Sequence, residues 1–134
     1  MRRFRINIPN SKSHILVKIC KDKQDFDRHI TAFGLKDINA YGVCIGLTHE
    51  DYRKGKCIKS DACMVFLIED QIGAGYVAHE LTHAILYLAR LDIKRLMTRH
   101  RFWEDFKSSD LEEHICDITA WIHRGFWTEY YKKK

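Results

Sequence analysis

The stretch from Ile72 to about Leu91 constrains this chain more than any other. It reads as one helix, with Val77, Ala78, Leu81, Ala84, Ile85, Leu86, Leu88 and Ala89 covering most of its circumference. A helix apolar nearly all round belongs in the middle of a fold, so the polar residues set into it call for a reason. His79, Glu80 and His83 are those residues, and together they spell His79-Glu80-Leu81-Thr82-His83, an HExxH pattern. Imidazoles at i and i+4 leave one face of a helix and can meet at one metal ion. Glu80 lies about 100° further round, beside such an ion without being a ligand. Burying three ionisable groups without a metal or partner carries a large desolvation cost. The plainer alternative is a helix whose two imidazoles are partly exposed and whose Glu80 is solvated.

The rest of the chain predicts a single domain over residues 1–134. With 46% apolar and 31% charged residues and one Pro, the composition excludes disordered, collagen-like and linker-dominated classes. No apolar run approaches the ~18 residues that span a bilayer. Arg3 to Ile8 alternates as a half-buried strand, and His14 to Cys20 reads as its partner. Phe26, Ile30 and Phe33 mark an amphipathic helix that stops at Gly34. Tyr41–Leu47 and Ala62–Glu69 are further strands, the second apolar without alternation, as where both faces are covered. His49 to Ser60 reads as a polar loop, and Asp92 to Lys107 as a basic, weakly patterned segment. Ser108-Ser109-Asp110 offers an N-cap to a last helix carrying Leu111, Ile115, Ile118 and Ile122. Strands and a helix, more strands, then two long helices predict an α+β fold with a small, mainly antiparallel sheet.

A catalytic zinc needs a third protein ligand and an open position for water. The last helix offers Leu111-Glu112-Glu113-His114-Ile115-Cys116-Asp117. On these residues the chain resembles the HExxH zincin metallopeptidases, in the branch whose third ligand is a downstream Glu. Glu113-His114-Ile115-Cys116-Asp117 reproduces the ExxxD pattern of thermolysin-like enzymes. The short spacing is also similar to the small ImmA/IrrE-type peptidases of phages and bacteria. The resemblance covers two helices, about 79–91 and 109–124. It implies a minimal zincin-like fold, a Zn²⁺ cofactor held by His79, His83 and Glu113, Glu80 as general base, and Asp117 as hydrogen-bond partner of a ligand His. It further implies a protein or peptide substrate, bound in extended form along a strand such as Cys63 to Glu69.

Helical geometry keeps Glu112 open as the alternative ligand. Glu113 and Asp117 lie nearly opposite the stripe of Leu111, Ile115, Ile118 and Ile122, whereas Glu112 borders it. Ala120 and Trp121 give the other side apolar character, which predicts burial on both faces and favours Glu113. Metzincins are excluded, because Leu86 and Ala89 stand where their Gly and His belong and Met97 alone makes no Met-turn. Tyr76, Tyr87, His100, His114 and His123 are candidates for stabilising an oxyanion.

Two rival functions remain open: a binding module on a zincin scaffold, and a basic nucleic-acid-associated protein with a structural metal. The net charge of +5 and the cluster Lys94, Arg95, Arg99, His100 and Arg101 suit contact with nucleic acid or an acidic surface. Gly73-Ala74-Gly75-Tyr76-Val77-Ala78 fits a dinucleotide fingerprint, but no second parallel strand follows it. Five Cys without a CxxC pair, after an N-terminus lacking signal-peptide features, predict free thiols in a reducing cytoplasm.

Overall fold

The computed structural model describes residues 1–8, 11–35, 40–100 and 108–132, apart from the side chains of 74, 91–100, 108–111 and 114. Two apolar faces have to be covered, and the topology covers both. Strands β1 (Arg2–Asn7), β2 (His14–Cys20), β3 (Gly42–Gly46) and β4 (Asp61–Ile68) form one sheet in the order β1-β2-β4-β3. The β1–β2 and β3–β4 pairs are antiparallel and the central β2–β4 pair is parallel. The fold is α+β, and its sheet is mainly antiparallel.

Alternation along the strands sorts their side chains between two cores. On one face Ile15, Val17 and Ile19 of β2 and Cys63, Val65 and Leu67 of β4 meet the two long helices, α3 (Val77–His100) and α4 (Ser108–Tyr130). On the other, Leu16, Met64, Phe66 and Ile68 are covered by Phe26 and Ile30 of α1 (Lys23–Thr31). Coverage on both sides is why β4 shows no polar alternation.

Local signals behave as their chemistry dictates. Asp22 caps α1 by accepting from the Asp25 amide at 2.8 Å. Gly34, with φ of 80°, supplies the left-handed turn beyond the helix end. The expected loop from His49 to Ser60 instead contains a short helix, α2 (His49–Arg53), because Thr48 and Asp51 form a reciprocal capping box. The helical region after β4 starts with a 3₁₀ turn (Glu69–Gln71) and a π-helical turn (Ile72–Tyr76) that takes up Gly73 and Gly75. From Val77 the α-helix runs to His100, well past the expected end near Leu91. The side chains of Lys94, Arg95, Arg99 and His100, and all of Arg101, Phe102 and Trp103, lie outside the described residues. No helix among the described residues is long and apolar enough to cross a membrane.

Two expectations need correction. The HExxH helix is not apolar all round: Ala78, His79, Thr82, His83 and Leu86 are exposed, with Leu86 at 52%. Its buried stripe is Val77, Leu81, Ala84, Ile85 and Leu88, which leaves one open face. Nor is the last helix buried on both sides. Ile118, Ile122 and Phe126 are buried, whereas Ala120 is exposed and Trp121 is 47% exposed.

Candidate metal centre

The open face of α3 carries the two imidazoles. His79 and His83, one turn apart, bring their Nε2 atoms to 3.2 Å. Their rings meet edge to face, with centroids 4.8 Å apart. Two ligand nitrogens on a tetrahedral ion, each at 2.0–2.1 Å, stand roughly 3.3 Å apart. As it stands the contact is an imidazole–imidazole hydrogen bond, and its length matches the edge between two ligands of a shared metal.

Glu80 takes the opposite environment. It is 5% exposed, while the side chain of its neighbour His79 is 66% exposed. Its Oε1 lies 3.7 Å from His79 Nε2, and among the described residues no donor hydrogen-bonds to the carboxylate. Burial raises the pKa of Glu80 above the usual range, and the nearby imidazoles pull it partly back. The plain alternative of partly exposed imidazoles and a solvated Glu80 is thus met for the histidines alone.

Strand β3 forms the other wall. Its alternate residues Gly42, Cys44 and Gly46 border a cleft of about 390 Å³ together with His79, Glu80, His83 and Tyr87. Small residues are required here. A Cβ on Gly42 would lie 2.9 Å from Glu80 Cγ, and one on Gly46 would lie 3.1 Å from the Tyr87 ring. Glycine at both positions lets α3 close on the strand.

The expected substrate strand, Cys63 to Glu69, does not border open space. Its residues Cys63–Ile68 belong to β4, which is paired with β2 on one side and β3 on the other, so their ladder groups are already engaged. Among the described residues, the strand with a free edge beside the imidazoles is β3. Sequence reading gave this strand no role in the site. The repeat Gly42-x-Cys44-x-Gly46 was its available signal, since such small residues on one strand face suggest close approach by another element.

The candidate third ligands sit on α4. Glu112, Glu113 and Asp117 are all exposed. Among the described residues neither Glu joins the imidazoles in a group of three donors within 4.8 Å, and Asp117 bonds to neither His. Position on the helix still separates them. Glu113 and Asp117 lie opposite the buried stripe of Ile118, Ile122 and Phe126, whereas Glu112 borders that stripe. With Ala120 and Trp121 exposed, the reason for preferring Glu113 on packing grounds is gone.

Of the oxyanion candidates, Tyr87 lines the cleft, and Tyr76 instead packs on Tyr41 at 5.8 Å between ring centroids. His123 is half-buried on α4 and is not among the cleft residues; the side chains of His100 and His114 lie outside the described residues. Compared with known protein families, curated proteins and solved structures, the chain matches none.

Proposed function

We propose that this chain is a zinc-dependent peptidase of the zincin type, acting on a protein or peptide substrate in the cytoplasm. The observation that carries this reading is the trio itself: two imidazole nitrogens 3.2 Å apart beside the largely buried Glu80, whose side chain borders the same cleft. His79 and His83 would hold the ion with a carboxylate from α4, either Glu112 or Glu113. Packing of α4 favours Glu112, and the ExxxD likeness favours Glu113. A zinc ion so held supplies Lewis-acid activation of water and of the scissile carbonyl.

The remaining chemistry belongs to the chain. Glu80 takes a proton from the attacking water and returns it to the departing amine, a role suited to a carboxyl whose pKa burial has raised. The Tyr87 hydroxyl, at the cleft wall beyond His83, donates to the carbonyl oxygen as charge develops there. The outer edge of β3 aligns the substrate backbone as an added strand, with alternate side chains directed at and away from the cleft.

The test begins with metal analysis by mass spectrometry on chain purified without chelator or nickel, then offered zinc. Zinc that disappears with His83→Ala and with one of Glu112→Ala or Glu113→Ala establishes the centre and names its third ligand. A wild type whose zinc content is unchanged by His83→Ala refutes the proposal. Cleavage of extended peptides, followed by mass spectrometry for wild type and Glu80→Gln, then tests the chemistry.

A further inference from the structure

A second group of metal-ligating side chains lies on the other side of the sheet, where α1 leaves the end of β2. Cys20 ends β2, and Asp25 and His29 stand one turn apart on α1. Their donor atoms all lie within 4.8 Å of one another. Cys20 is fully buried, Asp25 is 4% exposed, and the His29 side chain is 29% exposed. We infer that Cys20, Asp25 and His29 form a second divalent-cation site of zinc character, separate from the HExxH centre.

The donor set decides the class of ion. A thiolate, a carboxylate and a neutral imidazole are three of the ligand types zinc takes, and the two anions neutralise its charge. His29 Nδ1 stands 3.2 Å from Asp25 Oδ1, close to the roughly 3.2–3.4 Å edge between such donors on a tetrahedral ion. A sulfur donor at ~2.3 Å from the metal stands about 3.5 Å from its fellow ligands, so closure from within 4.8 Å asks for side-chain rotation and leaves the backbone in place. The fourth position is left to water.

Four local groups oppose or accompany binding. Arg28 Nη2 donates to Asp25 Oδ1 at 2.6 Å and occupies the place of the cation, but its side chain is 72% exposed and free to swing into solvent. The Lys21 amide donates to the other oxygen, Oδ2, at 3.1 Å, and that bond can persist. His29 Nδ1 lies 2.7 Å from the Asp25 carbonyl and donates to it when it carries the proton. Binding through Nδ1 leaves the proton of the neutral ring on Nε2. The Cys20 thiol, pushed up to about 11 chiefly by burial, loses its proton to solvent as the sulfur–metal bond forms.

Cobalt(II) is the probe, because a thiolate on cobalt gives a charge-transfer band that imidazole and carboxylate ligands do not. It is titrated into the reduced, metal-free full chain. The expected result is a thiolate band of equal final intensity in wild type and His83→Ala, saturating at one equivalent per chain in His83→Ala and by two in wild type, where the HExxH centre also takes cobalt. Cys20→Ser should abolish it, and His29→Gln should weaken half-saturation at least tenfold. Arg28→Gln removes the competing cation and should tighten binding severalfold, a gain that loss of folding cannot imitate. Absence of the band in wild type overturns the site. So does a band that survives Cys20→Ser, which assigns it to another thiol, or one indifferent to both His29→Gln and Arg28→Gln. Failure here leaves the His83-dependent zinc untouched, so the two sites are judged separately.

Discussion

Glu80 is the residue on which the proposed chemistry turns. Replacing it with Gln keeps its volume and its place beside His79 but removes the proton acceptor. The Glu80→Gln chain should bind zinc as the wild type does while turnover falls by about 10²–10⁴-fold, the usual worth of a general base. Zinc content and peptide cleavage measured on the same preparation check this, and a variant that still cleaves at wild-type rate removes Glu80 from the mechanism. At this scale the sequence was most legible. An i, i+4 pair of histidines converges wherever a helix forms, so the His79–His83 contact needed no tertiary information. Which side of the helix faced water did need it. The apolar count around α3 suggested burial throughout, yet Ala78 and Leu86 lie outside, because composition cannot say which apolar residues find a partner.

Among the elements, β3 and α4 set how the site works. Gly42 is the tightest point of the cleft wall, since any side chain there meets Glu80 Cγ at 2.9 Å. Gly42→Ala should leave zinc bound, because it touches neither histidine, while displacing the carboxylate and lowering kcat more than it raises KM. Steady-state kinetics on an extended peptide separate the two parameters, and an unchanged kcat shows that Glu80 has room to yield. The importance of β3 was hidden in the sequence for a topological reason. Both β3 and β4 read correctly as strands, but which is an edge depends on strand order, and only pairing of β4 with β2 puts β3 outside. The same limit applied to α4, where Trp121 suggested a second buried face. In the fold it stays 47% exposed and donates its indole N–H to the Asn7 carbonyl at 2.8 Å.

Helix α1 gives the fold a measurable dependence on pH. Asp25 is held below the usual carboxylate range, first by its hydrogen bond from Arg28 and then by the Lys21 amide. A folded-state pKa below the unfolded one, ~3.9, contributes stability that is fully present above that value. It is lost as pH falls through the lower folded pKa. Urea unfolding of the metal-free chain at a series of acid pH values should show this loss, and Asp25→Asn should flatten it. An equally steep acid limb in the variant places the titration elsewhere.

At the scale of the whole molecule, the site depends on how closely α4 lies on the sheet. Gly125 sets that distance, since a Cβ there would fall 2.6 Å from Cγ2 of Ile6, a 2%-exposed residue of β1. Two effects of Gly125→Ala compete. Alanine in a helix interior gains about 1 kcal/mol over glycine, and forcing a methyl into a packed contact costs about 1–3 kcal/mol. The Ile6 methyl is branched at Cβ and cannot rotate away freely, so the clash should dominate and the net change should be a loss of up to ~2 kcal/mol. Chemical denaturation measures it. In an Ile6→Ala background, which already lacks that methyl, the same substitution should become neutral or stabilising, and an additive pair would show that the two residues do not meet. The shift should also reach the metal. If a Glu of α4 completes the zinc centre, moving the helix outward weakens zinc binding although no ligand has changed, whereas cobalt on Cys20 across the sheet should be unaffected. A Gly125→Ala chain that is destabilised yet holds zinc at full strength would remove α4 as the source of the third ligand.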